Sequence, residues 1–210
     1  MTLRPYLAAL CTVALLSGCS AISVLNGATT PLDAYDLNAP ADPTLARSTT
    51  GRQVVVELPS SPGALATDRI LIRPHPLQAA YLPEAKWTEE TPTMLQTLMV
   101  RSLEDSNAFR FVGRRPLGAS GDYALLSELT DFQAEATEDG KAATIRLRMT
   151  ARLVREDDAR VMSSRSFTST ADVVSTETLD LIEGFNTANQ AMLSEVTQWV
   201  LTSLNIGLKR

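Results

Sequence analysis

The alternation of apolar and polar residues divides the chain into strands and helices. Two short apolar runs, Val54–Leu58 and Ile70–Ile72, stop at Pro59 and Pro74. Runs of this kind are typical of strands that are buried on both faces, so they predict two central strands. Tyr35–Leu37 carries an aromatic and an aliphatic residue on one side of an extended segment, which predicts a short strand ahead of them.

The clearest strand pattern is Thr144–Val154, where apolar and polar residues alternate without interruption. One buried face and one solvated face indicate an antiparallel strand in a half-covered sheet. The polar turn Glu156–Ala159 then leads to Arg160–Ser169, the predicted hairpin partner. Phe109–Val112 and Tyr123–Phe132 are the remaining predicted strands.

Helical spacing occurs in two places. Thr91 followed by Pro92 predicts an N-cap with proline at the first helical position, in a helix that ends near Asn107. A long C-terminal helix is predicted to stop at Gly207. Its apolar stripe consists of Ala188, Met192, Val196, Trp199 and Val200. The element order predicts a single α/β domain, with a mixed sheet of about five to six strands and two main helices packed on it.

The N-terminal residues have the pattern of a secretory signal that ends in a lipidated cysteine. Arg4 precedes the apolar run Tyr6–Leu16, which is too short to span a bilayer stably. The run ends in a lipobox formed by Leu16, Ser17, Gly18 and Cys19. In such a motif a lipid is attached to the cysteine thiol, the chain is cut before the cysteine, and two or more acyl chains give lasting membrane attachment.

This motif sets the predicted domain organisation. We expect residues 1–18 to be a lipoprotein signal peptide, residues 19–51 a lipidated N-terminus and flexible tether, and residues 52–210 the folded domain. Cys11 is lost with the signal, so the mature chain keeps a single cysteine, and that cysteine carries lipid. No disulfide can then form within one chain, and the fold must be held by its core.

Composition narrows the classes of partner. The chain of 210 residues has a net charge of −5, which becomes −6 when Arg4 is removed with the signal, and this acidity argues against nucleic acid. Apolar residues make up 44% and aromatic residues only 5%, which predicts a mainly aliphatic core.

The search for catalytic chemistry yields little. His75, the only histidine, lies between Pro74 and Pro76, and we interpret it as a residue of an irregular loop without a nucleophile partner. The carboxylates lack calcium-loop spacing, and the glycines Gly113, Gly118 and Gly121 lack phosphate-binding spacing. We therefore predict a protein that is not an enzyme and that has no metal and no cofactor.

Three arginines on one face of a predicted strand form the first candidate contact with a partner. Arg146, Arg148 and Arg152 share the polar face of Thr144–Val154 and are suited to phosphates or to a partner's acidic patch. The alternative is an ordinary solvated face, with counter-charges supplied by Glu128 and Asp131.

A second candidate contact is the segment Tyr81–Trp87, which places two large aromatic residues in a proline-bounded connection. These rings either fill a gap in the core or form an exposed contact. Because aromatic residues concentrate at the energetic centres of interfaces, we expect Tyr81 and Trp87 to contribute more to a partner contact than to folding.

The order and spacing of these motifs resemble the ABC-type transport auxiliary lipoproteins of the PqiC/YmbA group. The matching segments are Cys19, Tyr35–Leu37, Thr67–Arg73, Tyr81, Trp87, the helix from Thr91, Asp122–Leu125, Leu129–Phe132, the strand Ile145–Leu153, Phe185–Asn186 and Trp199. The resemblance implies a periplasm-facing lipoprotein of an ABC system that moves phospholipid or similar lipids across the cell envelope. The implied neighbours are a permease, an ATPase and a substrate-binding MCE-domain protein, and the family supplies no catalytic residues.

The residue after the lipidated cysteine bears on the membrane. Ser20 replaces the aspartate associated with inner-membrane retention in enteric bacteria, so the resemblance favours the periplasmic face of the outer membrane. Three functions remain open: a non-catalytic accessory or docking protein of the transport system, a lipid carrier with its own apolar cavity, and a lipid-anchored hydrolase. Self-association into a homo-oligomer is left open.

Overall fold

The computed structural model describes residues 31–115 and 121–209, so the signal and the lipobox residues Leu16, Ser17, Gly18 and Cys19 lie outside the described residues. The folded body begins at Asp33. In chain order its elements are β1 (Asp33–Tyr35), β2 (Gln53–Val56), β3 (Arg69–His75), β4 (Gln78–Trp87), α1 (Thr91–Asp105), β5 (Phe111–Gly113), β6 (Tyr123–Ala136), β7 (Ala143–Arg155), β8 (Arg160–Val173) and α2 (Thr178–Ser203).

The strands form one mixed sheet around the long strand β6. Along one edge of β6, residues 123–125 pair in parallel with β2 and residues 133–135 pair in parallel with β3. The other edge pairs with β7 in antiparallel fashion, and β7 pairs with β8. The order of the remaining path is β1-β4-β3-β6-β2-β5. The predicted α/β class is confirmed, with eight strands among the described residues instead of five to six.

The two helices cover the inner face of this sheet. Helix α2 packs on β7 and β8, and α1 packs on α2, β2 and β5. The alternate apolar residues of β7 from Ala143 to Leu153 point inward and are buried, whereas Arg146, Arg148 and Arg152 lie on the opposite face, as the alternation predicts. In β6, Leu129 and Phe132 both point inward although they are three residues apart, because a bulge at the intervening residues restores the phase.

Strand β4 occupies a segment that the sequence pattern assigns to a loop. Tyr81 pairs with Leu71 of β3 and Lys86 pairs with Arg69, so β4 carries extra residues between the two pairs. One of them, Glu84, has a positive φ of 59°. This bulge breaks the two-residue period of the apolar positions, which is why the strand does not show in the sequence.

Residues 36–51 pack on the folded body, so the prediction of a tether that extends to residue 51 is wrong. Leu37 is buried, the Asn38 amide donates to Asn186 Oδ1 at 2.9 Å, and the Ala46 amide donates to the Ser106 carbonyl at 2.8 Å. The backbone groups of this segment are satisfied by distant loops and side chains instead of by a ladder. Such partners leave no periodic signal in the sequence.

Both predicted helix caps are also shifted. The N-cap of α1 is Glu90, and Thr91 lies inside the helix, where its hydroxyl donates to the Thr67 carbonyl at 3.2 Å. Helix α2 ends ahead of Gly207, because Asn205 adopts a positive φ of 54° and the Ile206 amide donates to the Leu201 carbonyl at 2.9 Å. Asparagine can take the left-handed position that ends a helix, and here it replaces the predicted glycine.

Candidate interaction surface

Of the two aromatic residues in the predicted loop, Trp87 lies in the core and Tyr81 lies on the surface. Trp87 is 0% exposed, and its ring packs edge to face on Phe132 and Phe185, with centroid distances of 6.1 and 5.3 Å. Phe132 and Phe185 stack on each other at 5.3 Å. The expectation that Trp87 forms an exposed partner contact is therefore wrong, because a tryptophan on the inner face of a ten-residue strand belongs to the core.

Tyr81 lies on the surface and is held by its neighbours. Its side chain is 37% exposed, and its hydroxyl donates to the Ala64 carbonyl at 3.2 Å. The Arg69 guanidinium lies 5.4 Å from the centre of its ring, within the range of a cation–π contact. These contacts tie the 57–68 connection to β4, so Tyr81 has a structural role whether or not a partner meets it.

The three predicted arginines do share the outer face of β7, and two of them are engaged in ion pairs. Arg146 Nε lies 2.9 Å from Glu135 Oε1, and Arg148 Nε lies 3.3 Å from Asp131 Oδ2. Asp131 thus supplies a counter-charge as predicted. Glu128 lies opposite Thr150 and forms no ion pair with any residue in the described ranges.

The shorter of these two ion pairs, Arg146–Glu135, shifts the pKa of both of its groups. The hydrogen bond from Arg146 holds the pKa of the Glu135 carboxyl below its usual value, and Glu135 in turn raises the pKa of Arg146. Arg152 differs from both neighbouring arginines. It faces Leu126 on β6 and Ser164 on β8, and it has no counter-charge among residues 31–115 and 121–209.

Apolar residues surround Arg152 on this face, and the sequence analysis missed them. Ala124, Val154 and Val161 pair across three strands on the outer side of the sheet, and the neighbouring Leu126 is also exposed. We use the term outer surface for Leu126, Arg152, Val154 and Val161. The sequence signal for this surface was two pairs of consecutive apolar residues, at 125–126 and at 153–154, because adjacent strand residues point to opposite faces of a sheet.

A shallow depression of about 630 Å³ forms part of this surface, and a charged network borders it. Arg115 at its rim bonds both Glu57 and Glu156. These hydrogen bonds, the one from Glu156 above all, raise the pKa of the Arg115 guanidinium. The network joins the end of β2, the residues after β5 and the β7–β8 turn, so it fixes the border of the apolar row.

A larger cleft of about 720 Å³ lies at the end of the sheet near the β7–β8 turn, but its charged groups are engaged within the protein. Arg52 donates to the Leu204 carbonyl at 2.6 Å and lies 5.9 Å from the centre of the Tyr123 ring. Arg155 pairs with Asp157 and with Asp158, and its hydrogen bond to Asp158 lowers the pKa of that carboxyl to about 2. The cleft is therefore a polar surface held by internal ion pairs.

His75 lies at the end of a strand and on the surface of the protein. It is the last residue of β3 and is exposed, which corrects the prediction that it lies in irregular backbone. Within residues 31–115 and 121–209, no group of three or more His, Cys, Asp or Glu side chains is placed to hold a metal ion. In the same ranges no helix has the length and apolarity needed to cross a bilayer.

Comparison with known proteins identifies relatives over almost the whole folded body. Residues 35–197 match the family described as ABC-type transport auxiliary lipoprotein component. No curated protein matches the sequence. The crystal structure of protein XCC0632 from Xanthomonas campestris shares 25% identity at a TM-score of 0.75, over 82% of this chain and 97% of that protein. A second crystal structure, of an uncharacterized protein, has the same fold at 15% identity and a TM-score of 0.64, over 81% and 99%.

Proposed function

The chain belongs to the family of ABC-type transport auxiliary lipoproteins, and we propose that it is a lipid-anchored, non-catalytic accessory protein of an MCE/ABC-type system. That system moves phospholipid between the membranes of the cell envelope. The protein is held on the periplasmic face of the outer membrane by acyl chains on Cys19. There it binds the MCE-domain protein or the permease and ATPase complex and keeps that component close to the membrane.

The position of the folded body supports this role. Only 13 residues lie between Cys19 and Asp33, where the folded body begins, so 14 peptide links join the two. Covalent geometry limits a chain of that length to about 50 Å when fully extended. The body therefore stays within about one domain length of the bilayer, which suits a protein that connects a membrane to a neighbouring complex.

The observation that carries the docking role is the outer surface. Helices cover the inner face of the sheet, but the outer face of β6, β7 and β8 presents Leu126 and Val161 beside Arg152, which has no counter-charge within the described part of the chain. An arginine among apolar side chains, bordered by polar residues, is the composition found at the centres of protein interfaces. The two neighbouring arginines are engaged in ion pairs, so Arg152 is the cation of this face that is available to an acidic partner.

A lipid carrier is the second candidate, and one cavity favours it. A partly open cavity of about 290 Å³ lies at the end of the sheet opposite the β7–β8 turn, with Ile72, Leu82, Ala134 and Leu181 among its lining residues. This volume is at the lower end of the roughly 300–1,000 Å³ that holds a drug-sized ligand. A phospholipid has two long acyl chains and exceeds such a ligand, so the accessory role is the better supported of the two.

Site-specific crosslinking tests the docking role directly. A photoreactive residue at Leu126 or at Val161, in the full-length lipidated protein in its own membranes, should crosslink to an MCE or ABC component. The same probe at Gln198, which is exposed on α2, is the matched control and should give no such product. Equal crosslinking from all three positions, or none from the outer surface, would contradict the proposal.

A charge reversal adds a quantitative measure. Arg152→Glu should reduce recovery of the partner by about tenfold, which corresponds to about 1.4 kcal/mol of binding free energy. Arg101→Glu makes the same charge change on the exposed side of α1 and should leave recovery unchanged. If both variants bind alike at unchanged melting temperature, Arg152 does not contact the partner.

The anchor is tested separately from the docking surface. Cys19→Ser should leave a folded protein that is released from membranes, because the body from Asp33 onward does not need the lipid for its core. Membrane fractionation after a high-salt wash, with circular dichroism of the same variant, measures both properties. A serine variant that is processed and stays on the membrane would exclude lipidation at this position.

A further inference from the structure

Three apolar side chains are exposed together at one end of the sheet. Leu77 in the β3–β4 turn is 98% exposed, Val174 after β8 is 93% exposed, and Leu179 in the first turn of α2 is 63% exposed. They are the three most exposed large apolar side chains in the described part of the chain. We use the term apolar end for Leu77, Val174 and Leu179.

Strand register and one loop contact place these side chains at the same end of the sheet. Arg73 of β3 lies opposite Glu135 of β6 in the strand register, and this register brings the β3–β4 turn level with the β6–β7 turn. The Thr176 hydroxyl, between Val174 and Leu179, donates to the Gly140 carbonyl in the β6–β7 turn at 3.4 Å. The cavity of about 290 Å³ is lined from both sides by these same loops. The exposed side chains therefore lie at the tips of neighbouring loops.

Single exposed leucines are common on soluble proteins, but a cluster of them at one end is not. Scattered apolar surface residues need no explanation, whereas contiguous exposed patches mark contacts with proteins or membranes. Side chains at loop tips project furthest from the body, so they are the first groups to reach any flat surface that the end of the sheet approaches. A bilayer is such a surface.

The course of the chain indicates which surface the apolar end meets. Strand β1 runs parallel to β4, with Asp33 opposite Ala85 and Tyr35 opposite Trp87. Because β4 starts at Gln78, next to Leu77, the chain enters β1 from the direction of the apolar end. The distance along β4 from Ala85 back to Gln78 is at most about 23 Å. The 14 peptide links from Asp33 back to Cys19 can extend about 50 Å, which is long enough to reach past that end.

The opposite end of the sheet is unsuited to a bilayer. There the β7–β8 turn presents Asp157 and Asp158, both exposed, and Glu156 borders it. The residues of that turn include no large apolar side chain to enter a bilayer, whereas the apolar end, which also carries carboxylates, presents Leu77, Val174 and Leu179. The two ends of the body therefore differ in polarity, and the anchored chain enters from the side of the apolar one.

We propose that the apolar end rests on the bilayer that holds the Cys19 anchor, with Leu77, Val174 and Leu179 in the interfacial layer of a zwitterionic phospholipid surface. This orientation rests on the proposed lipid anchor. The charges near the apolar end select the lipid class: the exposed acidic residues there outnumber the single exposed lysine, Lys141, and an anionic surface would repel them. The acidic residues are Glu138, Asp139, Glu177 and Asp180. Held in this way, the outer surface stands to the side of the membrane, open to a protein partner.

Depth-dependent fluorescence quenching tests the orientation. The full-length lipidated protein is reconstituted in phosphatidylcholine vesicles that contain a spin-labelled lipid, and one cysteine at a time is introduced and labelled with a small fluorophore. The Cys19 thiol is acylated and does not react with the label. The test variants are Leu77→Cys, Val174→Cys and Leu179→Cys. The matched controls are Leu58→Cys and Val161→Cys, which are 56% and 52% exposed and lie away from the apolar end.

The expected result is quenching of the three test labels by at least about twofold, because apolar interfacial residues enter the headgroup and acyl boundary, with both controls unquenched. Replacing part of the phosphatidylcholine by anionic phosphatidylglycerol should weaken the quenching, and stronger quenching would overturn the choice of lipid class. Unquenched test labels on protein that floats with the vesicles would overturn the orientation and leave the anchor intact. Protein that fails to float would refute the anchor, and the orientation with it. Quenching as expected without partner crosslinks from the outer surface would refute only the docking role.

Discussion

Replacing Trp87 by alanine tests whether the segment 78–87 is core or contact surface. The indole is fully buried between Phe132 and Phe185, with near-perpendicular ring planes at 75° and 83°. Truncation to alanine removes most of this side chain and leaves a cavity next to two aromatic rings. The surrounding strand cannot collapse to fill the cavity, because β4 is held between β1 and β3.

The size of the effect follows from the burial. Truncation of a buried tryptophan or phenylalanine to alanine typically costs about 3–5 kcal/mol, and the lost aromatic pairs place this site in the upper part of that range. We therefore expect a loss of about 4 kcal/mol in the free energy of unfolding. For a domain of this size that loss lowers the melting temperature by about 8–16 °C.

Tyr81→Ala on the same strand is the matched control. This substitution removes one hydroxyl hydrogen bond and a partly exposed contact with Arg69. Together they should lower the free energy of unfolding by about 1–2 kcal/mol. Urea unfolding compares both variants with the parent protein. It is followed by far-ultraviolet circular dichroism and by the fluorescence of Trp199, which is present in each variant. If the free energies of unfolding of the Trp87→Ala and Tyr81→Ala proteins lie within about 1 kcal/mol of each other, the burial argument is refuted.

Three further predictions concern the packing of α2 and the outer face. Val196→Asp places a charge at a buried position of α2 and should cost about 3 kcal/mol or more, whereas Gln198→Asp on the exposed side should stay within about 0.5 kcal/mol, as measured by thermal unfolding. Gly184→Ala should destabilise the protein although alanine favours helices by about 1 kcal/mol, because the added Cβ would lie 2.5 Å from Val173 Cγ2; a higher melting temperature would contradict this close approach. The pKa of Glu135 is lowered in the folded state, so its stabilising effect is present above the usual value of 4.5 and is lost as the pH falls through the lowered pKa. The melting temperature of Glu135→Gln should therefore approach that of the parent protein below pH 4.5, and a difference that stays constant with pH would exclude this ion pair as the cause.

The regular elements were predictable because local periodicity determines them. The alternation in β7 predicts which residues are buried, and the three-to-four-residue stripe of α2 does the same. The three arginines of the outer face were predicted for the same reason. Which of them lacks a counter-charge was not predictable, because that depends on the register with β6, where Arg148 meets Asp131 and Arg152 meets Leu126.

Elements that depend on distant partners were missed. Strand β4 carries a bulge that breaks its period, and residues 36–51 satisfy their backbone groups through Asn186, Ser106 and other remote residues. The two aromatic residues of β4 show the same limit. Tyr81 and Trp87 have similar local sequence surroundings, yet one is exposed and the other is buried, because the bulge changes which face each residue occupies.

The sequence by itself predicted the lipid anchor and the amphipathic strands and helices, since each rests on a local pattern, and the order of these elements along the chain predicted the fold class. Only the tertiary structure decided where the body begins, which of the three arginines on the outer face of β7 lacks a counter-charge among the described residues, and that Leu77, Val174 and Leu179 lie at one end. Leu77 is about 100 residues from the other two in the chain, and β3, β6 and α2 bring their loops together. Surfaces of this kind are created by long-range strand pairing, which no local pattern of apolar and polar residues encodes.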